Sequence, residues 1–300
     1  MLKYNSVINS DKNNWHKITN SKLLIFIIFL VILIQIIDKR NITIIKNNEN
    51  ISNDLILENV NFTELINLKH TFQQKFFCEN EILFNNTVLE DKIKVVTAKI
   101  DNFNFSMFVY KKNGYISNSI SHKGFTEYQE TKSILKALEY YSNKNHLTKN
   151  NIYVLDIGAN IGWYTFLLGK KGYNILSFEP SKLNYYILLK SYCLNNDINV
   201  TIINKGLDIV EKNFMLYYPL DDTGNGVAFD GPDLLNFKSP LKEEVSITKL
   251  SHYIIFLKKN NLALIKLDIE GSEGKAIEGG LDLITNYHVP FVVMEWIPNI

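Results

Sequence analysis

The chain has 300 residues, 46% of them hydrophobic, which is enough for one domain of ordinary size with additional segments. Its 32 lysines and arginines nearly balance its 31 aspartates and glutamates, so the chain lacks the overall basic charge that would indicate a nucleic-acid-binding protein. The two cysteines, Cys78 and Cys193, lack the spacing of a metal site. The sequence leaves open whether they form one disulfide or stay two buried thiols.

An apolar run at residues 23–37 predicts a transmembrane helix. As a helix it is about 22 Å long against a hydrocarbon core of roughly 30 Å, and the flanking Lys22, Lys39 and Arg40 can reach the interfaces. We favour an uncleaved signal anchor over a cleaved signal peptide, because no small-residue cleavage site follows the run. The lysines before it predict a cytosolic tail at residues 1–22 and a type II membrane protein with its body in the ER or Golgi lumen.

The remaining chain divides into three parts by its patterning. Residues 38–80 are polar, show no sustained period and predict a stem or linker. Alternating apolar residues within 81–125 predict accessory strands that form a small antiparallel cap, and Asn113 with Gly114 predicts a tight hairpin turn there. Residues 126–300 predict the main domain.

The main domain is organised around residues 153–162, where a short apolar strand ends in Asp156 and is followed by Gly158, Gly162 and a helix. Glycines at such a turn let the backbone approach a ligand, and the helix N-terminus offers unpaired N–H groups. A dinucleotide-binding loop has glycine where this one has Asn160. The pattern therefore favours a ligand without pyrophosphate and with a cationic end, such as S-adenosylmethionine. A plain turn that binds nothing remains the alternative.

Strands alternate with helices through this domain and predict a doubly wound, mostly parallel α/β sheet of the Rossmann-like type. The expected strands are residues 153–156, 173–178, 199–204, 262–269 and 290–296. One helix is expected from Glu273 to about Ile284. Because parallel sheets bind ligands at the carboxyl ends of their strands, acidic residues at those ends predict a binding crevice. These acids are Asp156, Glu179, Asp268, Glu270 and Glu295.

Three separated motifs, at residues 156–165, 178–180 and 265–273, closely resemble FkbM-type S-adenosylmethionine-dependent methyltransferases. The resemblance covers roughly residues 95–300 and implies a class I methyltransferase fold and, in most members, methyl transfer to oxygen. It implies that Glu179 holds the ribose hydroxyls of the cofactor. The residues that it places around the methionine end are Asp156, Gly158, Ala159, Asn160 and Gly162.

The sequence departs from the family pattern at two places, and each departure leads to a prediction. Gly274 and Gly280 replace better helix formers, which predicts a weak last helix. The sequence ends at Ile300, just after the fifth expected strand, where the family adds a further helix and a strand pair. We therefore expect either a truncated product or an open sheet edge. The Asp- and Gly-rich residues 221–226 resemble a substrate-side loop and could equally be a surface turn.

The expected reaction is methylation of a hydroxyl on a glycan, glycoconjugate or small metabolite. Asp268, and after it Glu270, are the candidate bases that take the hydroxyl proton, and Glu273 would orient the neighbouring loop. No metal is expected. The less favoured alternative uses Asp268 and Glu295 as ligands of a divalent cation, but no further Asn or Asp completes a cage.

Two other functions remain open from the sequence. A membrane-anchored binding or scaffold protein on a decayed methyltransferase fold would explain the early end of the chain. An NAD-dependent enzyme is disfavoured, because Asn160 occupies the position of the glycine that pyrophosphate needs.

Overall fold

A computed structural model describes residues 62–80, 90–112, 114–218, 227–228, 241–257 and 261–295. The chain divides into two compact units, Met1–Lys69 and His70–Ile300. Of the first unit, only the backbone of residues 62–69 is described, and it is helical. The fold and the site below belong to the second unit.

The core of the second unit is a sheet of five parallel strands. They are β3 Tyr153–Ile157, β4 Asn174–Phe178, β5 Val200–Ile203, β10 Leu262–Leu267 and β11 Phe291–Met294. Their order in the sheet is β11-β10-β3-β4-β5. The inner strands β4 and β10 are buried along their whole length, as expected of parallel strands covered by helices on both faces. The predicted α/β class, and each of the five strands expected from the sequence, are confirmed.

Helices connect these strands and carry the residues that cover the sheet. The helix Trp163–Lys170 (α4) has seven of its eight residues buried. It is therefore a core helix rather than an amphipathic surface helix. The helices are α1 Phe62–Glu79, α2 Tyr115–Lys123, α3 Tyr128–Asn145, α4 Trp163–Lys170, α5 Lys182–Cys193, α6 Glu273–Glu278 and α7 Leu281–Asn286.

Two small sheets accompany the main sheet. The predicted antiparallel cap is confirmed: β1 Ile93–Ile100 pairs with β2 Phe103–Tyr110 along its whole length. The strands of the second sheet are β6 Gly206–Leu207, β7 Lys212–Tyr218, β8 Val227–Ala228 and β9 Leu241–Thr248. They lie in the order β6-β9-β7-β8, and this sheet borders the candidate site.

One residue of the predicted hairpin turn, Asn113, lies outside the described ranges, but no strand returns after Gly114 as that turn would require. The β1–β2 turn is formed instead by Asp101 and Asn102, between the paired Ile100 and Phe103. Asp101 has φ +51, a left-handed conformation that two-residue hairpin turns require. Gly114 directly precedes α2, which begins where the sequence indicated a returning strand.

The predicted linker at residues 38–80 is corrected in its last part, because Phe62–Glu79 is helical. From His70 onward this helix belongs to the second unit and packs against the main sheet at β5. Gln74 is buried, donates a hydrogen bond from Nε2 to the Val200 carbonyl (3.1 Å) and accepts one from the Ile202 N–H (3.0 Å). Its side chain thus satisfies the edge of β5. Cys78 forms a disulfide with Cys193 of α5, which decides between the two cysteine states left open by the sequence.

The single helix expected after residue 273 is two short helices, α6 and α7, separated by Gly279 and Gly280. A Cβ at Gly279 would lie 2.3 Å from the Asp208 carbonyl oxygen, and one at Gly280 would lie 2.6 Å from Leu250. Close contact with neighbouring segments therefore determines the break, and helix propensity does not.

Two sequence predictions concern residues that the structure does not describe. The expected anchor at residues 23–37 and the expected loop at residues 221–226 both lie outside the described ranges. Within those ranges, none of the helices has the combination of length and apolar composition that a membrane span requires.

Candidate cofactor and reaction site

A cavity of about 320 Å³ lies at the carboxyl ends of β3, β4 and β10. Its size is within the range of small-molecule pockets, and its position is where open α/β sheets bind ligands. The four-stranded sheet borders the cavity through Leu216 of β7 and Ile247 of β9. The first two residues of α2, Tyr115 and Ile116, also line it. Six residues that the sequence singled out line it: Gly158, Asn160, Glu179, Asp268, Glu270 and Glu295.

The loop between β3 and α4 is held against both neighbouring strands. The N–H groups of Gly158 and Ala159 each donate to the carbonyl oxygen of Phe178, at 3.0 Å. Gly158 has φ +80, and a Cβ there would lie 1.9 Å from the carbonyl oxygen of Asp268. Only glycine allows this approach, so Gly158 is what brings the loop and Asp268 to the same cavity.

Glu179 follows β4 and is 5% exposed. Its Oε2 accepts a hydrogen bond from the Asn160 N–H (2.8 Å), and its Oε1 accepts from the Ser181 N–H (2.9 Å) and from Asn184 Nδ2 (3.4 Å). Burial raises the pKa of Glu179 to about 7, although these hydrogen bonds oppose the shift. A carboxylate has about four acceptor positions, so further hydroxyl donors can be accommodated.

Three predicted cofactor residues, Asp156, Ala159 and Gly162, do not line the cavity. Asp156 is 1% exposed, and its Oδ2 accepts a hydrogen bond from Thr165 Oγ1 at 2.6 Å. It therefore lies beneath the loop and ties α4 to the sheet. Gly162 directly precedes α4 with φ +95, where a Cβ would overlap the Phe166 ring.

The candidate reaction residues follow β10. Asp268 and Glu270 line the cavity, and Glu295, which follows β11, lines it beside them. Burial, and then the neighbouring Asp268 carboxylate, raise the pKa of Glu295. Glu273 lies outside the cavity, is buried, and accepts a hydrogen bond from the Ile269 N–H (2.9 Å). It has the loop-orienting position expected from the sequence.

Several residues with strained backbone conformations line this cavity. Six non-glycine residues among those described have positive φ, and three of them line the cavity: Glu127, Asn160 and Glu270. Such conformations cost free energy and persist where the surrounding structure enforces them, often at functional sites. This clustering supports a binding role for the loops that carry these residues.

Sequence reasoning missed Glu127 and gave Lys266 no role. Glu127 comes from the segment between α2 and α3, where no motif marks it, and burial raises its pKa. Lys266 interrupts an otherwise apolar strand, which is a usable signal because buried charges are seldom without function. Its Nζ lies 3.2 Å from Asp268 Oδ2.

No group of three His, Cys, Asp or Glu side chains suited to hold a metal ion occurs in the described part of the chain. Asp268 and Glu295, the two ligands that the sequence indicated for this alternative, both line the cavity.

Residues 156–300 match the family model of the methyltransferase FkbM domain. This part of the chain is a methyltransferase FkbM domain. The match confirms the family indicated by the sequence motifs and, with it, S-adenosylmethionine as the cofactor. Residues 95–155, which the resemblance also covered, lie outside the matched region.

Comparison with curated proteins gave no match. Among solved structures, monomeric WbdD is 13% identical over 56% of this chain, with a TM-score of 0.34. The match covers 31% of the length of WbdD. A SAM-dependent methyltransferase from Agrobacterium tumefaciens is 10% identical over 68% of this chain and 54% of its own, also with a TM-score of 0.34.

Proposed function

We propose that this protein transfers a methyl group from S-adenosylmethionine to a hydroxyl oxygen. The observation that carries the proposal is that one cavity joins Gly158, Asn160 and Glu179 at the ends of β3 and β4 with Asp268 and Glu270 at the end of β10. This shared lining supports the proposal that the first three bind the cofactor and that Asp268 or Glu270 acts as the base. The alternative of a non-catalytic scaffold gains no support from a site with this arrangement.

The cavity has the volume of a small-molecule site, and the chemistry of its lining suits the cofactor. Glu179 would hold the ribose hydroxyls through the acceptor positions that its present hydrogen bonds leave. Gly158 and Asn160 would border the methionine end. The carboxylates of Asp268 and Glu270 give the cavity negative charge, which favours a sulfonium cation over a phosphate.

Asp268 is the proposed base, with Glu270 as the second candidate. When bound, S-adenosylmethionine supplies the methyl group, whose carbon–sulfur bond breaks as the acceptor oxygen bonds to the methyl carbon. The proton that the hydroxyl loses passes to the carboxylate of Asp268. The fixed loop between β3 and α4 serves to orient the reactants, which is the main contribution a protein makes when the methyl group is already activated.

The proposed acceptor is a hydroxyl of a glycan, glycoconjugate or small metabolite. Asp268, Glu270 and Glu295 offer acceptors for several hydroxyl groups, and Tyr115, which is 71% exposed, offers an aromatic face at the entrance. Sugar rings present both hydroxyls and apolar C–H faces, so this combination supports a sugar-like acceptor.

We also propose that the catalytic unit lies in the lumen of the ER or Golgi, anchored by residues 23–37. The Cys78–Cys193 disulfide supports this placement, because disulfides persist in oxidising compartments and are rare in the cytosol. Protection of the carboxyl-terminal unit from added protease in intact microsomes would agree with it, and digestion of that unit would contradict it.

The variant Asp268→Asn tests the reaction. Labelled methyl transfer from S-adenosylmethionine to a mixture of glycans and glycosides should fall by about 10²-fold or more, because the amide cannot take the proton. Binding of S-adenosylmethionine, measured by calorimetry, should survive. Asp282→Asn, at an exposed position on α7, is the matched control and should keep full activity. Full activity of Asp268→Asn would overturn the base, and absence of cofactor binding in the wild type would overturn the function.

A further inference from the structure

Lys266 is a buried lysine near the carboxyl end of β10, beside the central strand β3. It lies on β10, all of whose residues are buried, and is itself 8% exposed. Its Nζ donates to the carbonyl oxygen of Gly158 (3.2 Å) and to Asp268 Oδ2 (3.2 Å). One ammonium group thus contacts both the loop that follows β3 and the proposed base.

Other charged and aromatic groups surround this ammonium. Asp156 Oδ1 lies 3.9 Å away and has no hydrogen-bond partner, so Lys266 is its compensating charge. The ring centroid of Tyr164 is 5.3 Å from Nζ, and Glu127 also faces the group from the segment before α3. Burial alone would lower the pKa of Lys266, but the carboxylates of Asp156 and Asp268 outweigh it and raise that pKa. The carboxylates around Nζ thus favour the charged form of the lysine.

We propose that Lys266 is a positioning residue that holds the Gly158 loop and Asp268 in register, so that cofactor binding depends on its ammonium group. The inference rests on the proposed function of the same site. The bond to Gly158 acts on a loop whose conformation is strained at Asn160, with φ +52, and the bond to Asp268 links that loop to the end of β10. A binding loop left without such support loses the geometry on which affinity depends.

The competing explanation is purely structural, namely that Lys266 only neutralises Asp156. A single Lys266→Met variant cannot separate the two, because it leaves a buried carboxylate unpaired. Asp156→Asn removes that charge and keeps an oxygen for Thr165. Comparing Asp156→Asn with Asp156→Asn/Lys266→Met then isolates the ties to Gly158 and Asp268, because methionine is unbranched and fills similar space.

Calorimetric titration of the full chain with S-adenosylmethionine gives the readout, and thermal melting without ligand reports the fold. We expect the double variant to melt cooperatively, and to bind S-adenosylmethionine roughly tenfold or more weakly than Asp156→Asn. Affinities within about twofold of each other would overturn the positioning role. Loss of cooperative melting in the double variant would assign Lys266 to the fold and would also overturn it.

The titration separates this inference from the proposed function. If the wild type binds S-adenosylmethionine and the two variants agree in affinity, only the role of Lys266 falls. If the wild type itself gives no heat of binding, the proposed function falls, and the positioning role falls with it.

Discussion

Glu179 combines a binding role with a cost to stability. Its carboxyl is buried, accepts hydrogen bonds from two backbone N–H groups, and still has a pKa raised to about 7 by burial. A side chain that only stabilised the fold would be expected to avoid this penalty. The arrangement is understandable if the missing partners of the carboxylate are hydroxyl groups of a bound ligand.

The raised pKa of Glu179 predicts how stability depends on pH. The folded carboxyl has a pKa of about 7 and the unfolded one about 4.5, so the folded state holds more protons between these values. Its contribution is fully present below pH 4.5 and is lost as pH rises through 7. As pH rises from 5 to 8, ionisation of Glu179 should lower the free energy of unfolding by about 2 to 3 kcal/mol. Chemical denaturation at the two pH values measures this difference.

Glu179→Gln is the matched comparison. The amide loses one acceptor and so destabilises the fold, but by an amount that does not depend on pH. The carboxyls of Asp156, Glu127 and Glu295, whose pKa values are also raised, titrate in both proteins and cancel in the comparison. An equal change between pH 5 and pH 8 in the wild type and Glu179→Gln would show that Glu179 is already ionised in the free protein.

The sequence predicted some of the site residues and could not predict others. Acids that follow parallel strands converge by topology, so Glu179, Asp268 and Glu270 could be found from strand order alone. Asp156 follows the same rule yet lies beneath the loop, because its side chain points to Thr165 on α4. Glu127 could not be found, because its approach depends on how α2 and α3 pack and no local pattern records that packing.

At the scale of elements, the part of α1 from His70 onward protects an edge of the main sheet. Gln74 pairs with both Val200 and Ile202 of β5, as a neighbouring strand would. Unpaired strand edges invite aggregation, so this cover removes a liability. The Cys78–Cys193 disulfide fastens the end of the same helix to α5.

The disulfide should contribute measurably to stability. It closes a sequence separation of 115 residues, and crosslinks of that size restrict the unfolded chain strongly. Replacing both cysteines in Cys78→Ser/Cys193→Ser should lower the free energy of unfolding by about 2 to 5 kcal/mol, measured by chemical denaturation. Treating the wild type with a reductant should give the same loss. Unchanged stability in both experiments would mean that the bridge does not form.

The elements differ in how well the sequence predicts them. The five core strands are short apolar runs bounded by turns, and burial on both faces makes that signal strong. The strand expected after Gly114 is a helix, because Asx-Gly pairs also precede helices, and the β1–β2 turn at Asp101 lacks the glycine that would have marked it. The break at Gly280 results from contact with Leu250, which no sequence window contains.

At the scale of the whole molecule, the site draws on more than the family-matched region. Residues 156–300 supply the sheet ends and the proposed base, whereas Tyr115, Ile116 and Glu127 precede that region and line the same cavity. The preceding segment therefore contributes part of the lining of the proposed site, including Tyr115, to which the acceptor is proposed to bind. Differences in acceptor between relatives should then be found in this segment more than in the FkbM domain itself.

The cavity at the ends of β3, β4 and β10 is proposed to bind the nucleoside cofactor. A crystal structure of the chain with S-adenosylhomocysteine would show whether it does. We expect the ribose hydroxyls within hydrogen-bond distance of the Glu179 carboxylate, and the sulfur on the side of the cavity that Asp268 lines. A ligand bound elsewhere, or a cavity without ligand at saturating concentration, would contradict it.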